Sequence, residues 1–370
     1  MSRARTFADL ATASEAGNLG QTNIIINGDM SVAQRGTSST SSNYQTVDRF
    51  SIGFGTISVT QSQQSLTSGS PYESGFNNFI RAANTSTSSS TTSYIQFYQR
   101  IEAQYIANSG WNFKSSSSFI TLSFWARSSL QGTYYAFVVT DDGTDYYRSK
   151  AFALSADTWT KVTFTIEGNS NLTINDDNGI GFTVNIVPHY GTGYTGSNAN
   201  TTSWYTLVSN DYMPDFAQSW SESSSATFDI TGVQLEVGEV ATPYKHESFG
   251  DNLQRCQRYF YKYISNHDYG PLGANGMQIN TNATAGVMYQ GQHPITMRTG
   301  PSMAVGGSWT AEVATGAGAL FALTGSVRSS TLFWQSQEPI PSSGANDGYA
   351  AIVYASGDDD AFLSGDAEFG

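Results

Sequence analysis

Between Thr22 and His246 apolar and polar residues alternate with a period of two, in runs rich in β-branched and aromatic side chains that end in clusters of Gly, Ser, Asn and Asp. The runs are Asn23 to Asn27 (NIIIN), Phe50 to Gln61, Ser93 to Gln104, Phe119 to Ala126, Thr133 to Thr140, Trp159 to Glu167, Gly181 to Pro188 and Ala226 to Glu236. A period of two sends every second side chain to the same face of a pleated strand, so each run has one face to bury. About eight to ten such strands with almost no helical pattern predict an all-β chain whose large domain is an antiparallel jelly-roll β-sandwich. Within it, Thr140 to Tyr146 (TDDGTDY) reads as a hairpin, because Asp-Gly tolerates the positive φ of a tight turn. Trp125 and Trp159, embedded in alternating runs, read as core.

The polar half of the alternation is unusual. Charged residues make up 13% of the 370-residue chain, about half of what an average protein carries. Hydroxyl and amide residues fill the surface instead, as in Thr37 to Asn43, Asn84 to Ser93, Ser115 to Ser118 and Gly191 to Thr202, which read as solvated loops. A net charge of -13 gives no electrostatic basis for gripping nucleic acid. The lone Cys256 can neither staple the chain nor build a multi-thiolate metal site. No apolar run approaches the ~20 residues needed to span a bilayer, and Met1 to Leu10 lacks the apolar core of a signal peptide. The expectation is a soluble protein made in the cytoplasm, without nucleic-acid binding or membrane insertion.

Four parts follow from these patterns. Residues 1–21 form a short helical arm, with Phe7 and Leu10 at helical spacing and Gly17 and Gly20 as stops. Its stripe is too small for a core of its own, so Arg3, Arg5, Phe7 and Leu10 are the candidates for anchoring it on a partner. Residues 22–246 are the sandwich. Residues 247–263 are a linker with a short helix capped by Ser248 and becoming a strand near Tyr259. Residues 264–370 form a smaller C-terminal β-domain.

Two signatures bracket the sandwich. The first is Ile24-Ile25-Ile26-Asn27-Gly28-Asp29-Met30-Ser31-Val32-Ala33-Gln34-Arg35-Gly36, followed by Tyr44 to Phe50 (YQTVDRF). The second is Phe228 to Gly238 (FDITGVQLEVG), followed by Ala241-Thr242-Pro243-Tyr244 and Cys256 to Phe260 (CQRYF). Together they resemble a family of tailed-bacteriophage virion proteins, common in marine phages, that serve as tail-fibre or receptor-binding components. The Ser123 to Arg127 and Trp159 to Val162 strands and the closing Gly365 to Phe369 fit the same pattern. The resemblance implies a jelly roll similar to carbohydrate-binding modules and a homotrimer. It also implies a place on the particle surface, on the tail rather than the head, with the arm docked on other virion proteins and a host-surface glycan as ligand. A head fibre or capsid decoration protein and a glycan depolymerase are the alternatives.

Read physically, the motif residues are chiefly structural. Asp48 and Arg49, taken as neighbours in one strand, face opposite ways and serve as ion-pair partners or caps of loop amides. Gln234 and Glu236 share a strand face and bond turn backbone.

A sugar offers an apolar ring face and a rim of hydroxyls, so its binder needs exposed aromatics beside amides and carboxylates. Pro188 to Trp220 supply that mixture: Tyr190, Tyr194, Trp204, Tyr205, Tyr212 and Trp220, with Asn198, Asn200, Asn210 and Asp211. The competing reading is that these rings pack under their own loops or in a subunit contact. In the C-terminal domain, Trp309, Trp334, Phe333 and Tyr289 form a comparable set.

No nucleophile motif or phosphate loop occurs, and His189, His246, His267 and His293 lack metal-ligand spacing. A glycan hydrolase would need two converging carboxylates, and nothing singles out a pair among Asp211, Asp215 and Glu222, so no catalysis and no cofactor are expected. Because related jelly rolls often hold a structural calcium, Asp141, Asp142 and Asp145, or Asn175, Asp176, Asp177 and Asn178, are its candidate ligands. Neither run has EF-hand spacing, and ordinary turns are the favoured reading.

Overall fold

The computed structural model describes residues 23–218, 220–265, 277–279, 286–307, 309–313, 318–321, 328–339, 351–355 and 360–370. The arm with Arg3, Arg5, Phe7 and Leu10 lies outside them. The chain divides into two compact units between Asn252 and Leu253.

The first unit contains β1 (Ser38–Ser39), β2 (Ser51–Gly55), β3 (Val59–Ser65), β4 (Asn78–Asn84), β5 (Tyr94–Glu102), β6 (Phe119–Ser128), β7 (Gly132–Thr140), β8 (Tyr146–Leu154), β9 (Thr160–Glu167), β10 (Ile180–Tyr190) and β11 (Thr227–Val237). Helices are short: α1 (Ser70–Glu73), α2 (Ala103–Ala107) and a 3-10 turn at Trp220–Glu222. The strands form a six-stranded sheet ordered β1-β3-β4-β11-β6-β9 and a five-stranded sheet ordered β2-β5-β10-β7-β8. All pairings within both sheets are antiparallel. From β4 to β7 and again from β8 to β11 the chain changes sheet at every connection, the crossing pattern of a jelly-roll sandwich.

Alternation decides what the two sheets enclose. β6 turns Ile120, Leu122, Phe124 and Ala126 inward, and β10 answers with Phe182, Val184 and Ile186. In β11 the inward set changes parity, from Phe228 and Ile230 to Val233 and Leu235, because the ladder shifts register between Thr231 and Gln234 around Gly232 at φ 61°. The β7–β8 hairpin closes with Thr140 opposite Tyr146 and Gly143 at φ 72°, as its sequence predicts.

Three local expectations are corrected. Asn23 to Asn27 is not a ladder strand: beside one backbone bond from Ile24 N to Leu235 O at 3.0 Å, the Asn23 side chain does the pairing, its Nδ2 donating to Val233 O at 3.0 Å and its Oδ1 accepting the Leu235 amide at 2.9 Å. Phe50 to Gln61 is two strands, broken at Thr56 with φ 53°. Trp125 and Trp159 are half-buried on the outer face of the six-stranded sheet, because Phe124 and Ala126 take the inward places on β6.

Asp48 and Arg49 sit in a turn rather than a strand, with Arg49 at φ 70°. Their roles survive the change of setting. Asp48 accepts the Gln34 backbone and side-chain N–H groups and lies 3.8 Å from Arg35, while Arg49 donates to Arg100 O. Glu236 accepts the Thr242 amide at 2.9 Å and Gln234 accepts that of Lys245 at 3.0 Å, so both bond the turn that follows β11.

Helix α3 (Phe249–Gln257) starts where Ser248 Oγ caps it by accepting the Asp251 amide at 3.2 Å, and the same hydroxyl donates to Asp251 Oδ2 at 2.7 Å. The second unit contains β12 (Phe260–Ile264), β13 (Met277–Ile279), β14 (Gly286–Gln292), β15 (Ser302–Gly306), β16 (Trp309–Val313), β17 (Gly318–Phe321), β18 (Arg328–Ser329), β19 (Phe333–Pro339), β20 (Ala351–Ala355) and β21 (Phe362–Asp366). They form antiparallel sheets ordered β12-β21-β15, β13-β14-β19-β18 and β17-β16-β20. Buried Tyr261 donates to His293 Nδ1 at 2.9 Å, and His293 Nε2 donates to Ser330 O at 3.0 Å. Among the described residues no helix is long and apolar enough to cross a membrane.

Candidate functional site

The outer face of the five-stranded sheet is aromatic. Tyr135 and Phe137 of β7, Tyr147 of β8 and Tyr190 of β10 lie there, and the segment 191–217 folds back over them. That segment is stitched down at many points. Tyr205 exchanges backbone hydrogen bonds with Tyr147 at 2.7 and 2.9 Å, its hydroxyl donates to Tyr212 O, and Tyr212 N donates to Tyr194 O at 3.0 Å. Asp211 accepts both the backbone and side-chain amides of Asn198.

This settles where the six sequence candidates stand. Tyr190, Tyr194 and Tyr212 pack on one another with ring centroids 5.6 to 6.3 Å apart, and Tyr205 packs beside them on Tyr147 at 6.0 Å. Burial raises the hydroxyl pKa of Tyr205 to about 12 and also pushes that of Tyr190 well above its ordinary value. Trp220 is fully buried, and Trp204 packs against the sandwich core with Nε1 donating to Glu167 O at 2.7 Å. An array of open stacking rings is therefore replaced by a loop-covered aromatic layer. In the second unit Phe333 is exposed. Trp309 and Trp334 lie in different sheets, and their side chains and that of Tyr289 are outside the described residues.

What remains open is a pocket of about 170 Å³ at the end of the sandwich, bordering the aromatic layer. The loop Ser88 to Thr91 forms one wall, and His189, Tyr190, Phe216, Gln218 and Glu222 are among the residues that complete the lining. His189 arrives there because β10 slips register between Ile186 and His189 before pairing resumes with His189 opposite Ile95 and Tyr190 opposite Tyr94 of β5. The imidazole is 8% exposed and stacks near Phe216 at 5.9 Å. Its Nε2 lies 3.0 Å from Ser93 Oγ, whose own proton is donated to Ser90 O at 2.8 Å. Nε2 must then carry the ring proton, leaving Nδ1 as a bare acceptor. Burial lowers this histidine's pKa to about 4, against the partial opposition of Glu222, so the ring is neutral near pH 7.

Hydrolytic geometry is absent from these groups. Ser93 is buried with its proton directed away from the imidazole, and His189 Nδ1 has no acid among the described residues to orient it. Of the three carboxylates singled out in the sequence, Glu222 reaches the pocket, Asp211 braces the loop and Asp215 accepts Thr195 Oγ1 at 2.5 Å. The pattern gave little warning of the His189 pocket, since its one signal was a histidine at the end of an apolar strand.

The acidic turns are braced by their own carboxylates. Asp142 accepts the side-chain and backbone amides of Asn175, both at 2.8 Å, Asp177 accepts the Gly179 amide at 2.8 Å, and Asp176 accepts Asn108 Nδ2 at 2.8 Å. Asp141 accepts Thr183 Oγ1 at 2.8 Å, and burial raises its pKa to about 6. Among the described residues no three His, Cys, Asp or Glu side chains converge as a metal cage.

No protein-family model matches the chain, and no curated protein matches it in sequence. Solved structures with a similar fold include the enzymatically active domain of tailspike protein 4 from bacteriophage CBA120 (TM-score 0.30, 11% identity), over 58% of this chain and 21% of that one. The N-terminal cellulose-binding domain of Cellulomonas fimi β-1,4-glucanase C matches over 57% of this chain and all of its own (TM-score 0.30, 10% identity). A cyclase from Fischerella sp. matches over 60% of this chain and all of its own (TM-score 0.34, 11% identity). The chain thus spans about a fifth of the tailspike domain.

Proposed function

We propose that this chain is an attachment protein of a tailed-phage particle, a short trimeric tail fibre that holds host-surface polysaccharide without chemical turnover. The observation that carries the binding reading is the pocket itself: hydroxyls of the Ser88 to Thr91 loop, a neutral imidazole and an aromatic wall meet at one end of a sandwich. That combination matches a saccharide's hydroxyl rim and apolar ring face. The phage and tail-fibre part rests on the two sequence signatures, and docking through Arg3, Arg5, Phe7 and Leu10 belongs to the same reading. Several copies on one particle would turn weak single sites into firm adhesion.

The test is retention of the full chain on an array of bacterial capsular and O-antigen polysaccharides, with the flow-through assayed for new reducing ends. Retention without new ends is expected. A blank array overturns the attachment reading, and new reducing ends replace it with a depolymerase. Antibody labelling of particles assigns the mount: signal on the capsid and none on the tail makes it a head fibre.

A further inference from the structure

The pocket is lined by buried polar groups that lack partners within the protein. His189 Nδ1 is buried with no hydrogen-bond partner, and so are both polar atoms of Gln218. With the ring proton on Nε2, Nδ1 offers a lone pair. Several backbone donors nearby are already committed: Gly191 N to Ser93 O, Gly193 N to Thr91 O, Ser88 N to Ser221 O and Thr92 N to Ser90 Oγ. Thr195 gives its proton to Asp215, and Tyr190 gives its own to Gln96. Among the described residues no Lys or Arg lines the pocket, while Glu222 does. An unfilled acceptor in a buried site is costly, and a ligand hydroxyl or a water is what relieves it. At about 30 Å³ per water the space holds about five waters, the scale of one sugar residue and not of a polymer chain.

We propose that this pocket receives the edge of one uncharged saccharide residue, whose hydroxyls donate to His189 Nδ1 and Glu222 and engage the Gln218 amide. The same groups disfavour acidic sugars, since a carboxylate would bring no proton to His189 Nδ1 and would face Glu222 with no lining cation to offset it. This rests on the attachment reading and narrows it to neutral terminal residues.

The experiment titrates the full chain with methyl glucoside, methyl galactoside, methyl mannoside, methyl rhamnoside, N-acetylglucosamine and glucuronate, reading ligand saturation transfer and the His189 imidazole 15N shifts. At least one neutral sugar should bind, moving Nδ1 from its free-acceptor position, with glucuronate at least tenfold weaker. Glu222 is exposed, so Glu222→Gln leaves the fold intact and should shrink the neutral-over-acidic ratio several-fold. His189→Phe, kept only if its melting transition matches the parent's, should cost tenfold or more. Glucuronate binding as well as the neutral sugars overturns the proposal, as does neutral binding that leaves the Nδ1 shift and the Glu222→Gln ratio unchanged. If no sugar in the set binds while the polysaccharide array is positive, the pocket holds only water, and this inference fails while the attachment reading stands.

Discussion

Asn27 and Asn252 meet as two buried amides 225 positions apart: Asn27 N donates to Asn252 Oδ1 at 3.0 Å, and Asn252 Nδ2 donates to Asn27 Oδ1 at 3.2 Å. The Asn252 amide also reaches Asp29 Oδ1 at 3.0 Å and Ser31 Oγ at 2.9 Å, so one side chain closes the whole Asn27 to Ser31 turn. Asn252→Ala leaves these buried groups unpaired and should lower stability by about 2–4 kcal/mol. Asn252→Asp should cost no less, because it loses the donors and faces Asp29. Urea denaturation measures both, and a loss below about 0.5 kcal/mol for the alanine variant would show the turn closes without this contact.

Gly28 is the next residue of that turn. Val233 N donates to Gly28 O at 2.9 Å, and a Cβ on residue 28 would sit 2.0 Å from Val233 O. Backbone cannot yield as a flexible side chain can, so Gly28→Ala should destabilise by about 3 kcal/mol. The two sequence signatures are therefore one structural unit. A melting temperature within a degree of the parent's would contradict that close approach.

The contrast between what was legible and what was not follows from range. Strands β6, β9 and β11 could be read because each carries its own alternation, β7 because it is a bounded run of β-branched and aromatic residues, and Ser248 because a cap acts within one turn. β4 (NFIRAAN) carries Arg81 and two Asn in a sheet interior and is set by partners far along the chain. The face chosen by Trp125 depends on which neighbour wins the core, and Phe124 wins it. The Pro188 to Trp220 aromatics were visible as a cluster, but whether a loop covers its own rings depends on pairings such as Tyr147 with Tyr205 that composition does not encode. His189 became notable only through a register slip.

Trp204 looks from sequence like an exposed sugar platform, yet its ring packs against the core and its Nε1 bonds Glu167 O. Trp204→Ala should accordingly lower stability by about 3 kcal/mol, and Trp204→Phe, which keeps most of the ring, by about 1 kcal/mol for the lost hydrogen bond. Calorimetry checks this; an unchanged transition in the alanine variant would return Trp204 to the set of free surface aromatics.

Asp229 on β11 stands between Arg81 on β4 and Arg127 on β6, accepting from both at 2.7 to 2.9 Å while itself 1% exposed. Arg127 also lies over Trp159 at 4.7 Å. Removing the anion strands two guanidinium groups, but these keep 30% and 25% exposure, so Asp229→Asn should cost about 2–3 kcal/mol, below the value for a fully buried pair. Because the carboxylate is shielded, the loss should be nearly the same at low and high salt, and a loss that vanishes in high salt would contradict the bridging role.

Two buried groups give opposing pH dependences. Burial, opposed by the Thr183 hydrogen bond and Arg100 and reinforced by Asp145 and Asp142, raises Asp141 to about 6 from 3.8. The folded state then holds its proton more tightly, so the associated stability is present below pH 3.8 and is lost as pH rises through 6. His189, lowered to about 4 from 6.5 by burial, contributes stability that is present above 6.5 and is lost as pH falls through 4. Between pH 4 and 6 the two slopes oppose each other. Asp141→Asn removes one of them: it should stabilise the protein at pH 7 by about 2–3 kcal/mol, at about 1.4 kcal/mol for each tenfold change in proton affinity, and have no such effect at pH 3.5. The same variant should lose stability more steeply than the parent on acidification from 6.5 to 4. Urea titrations at half-unit pH intervals decide it, and parallel curves for parent and variant would mean that Asp141 titrates in the folded chain as it does in the unfolded one.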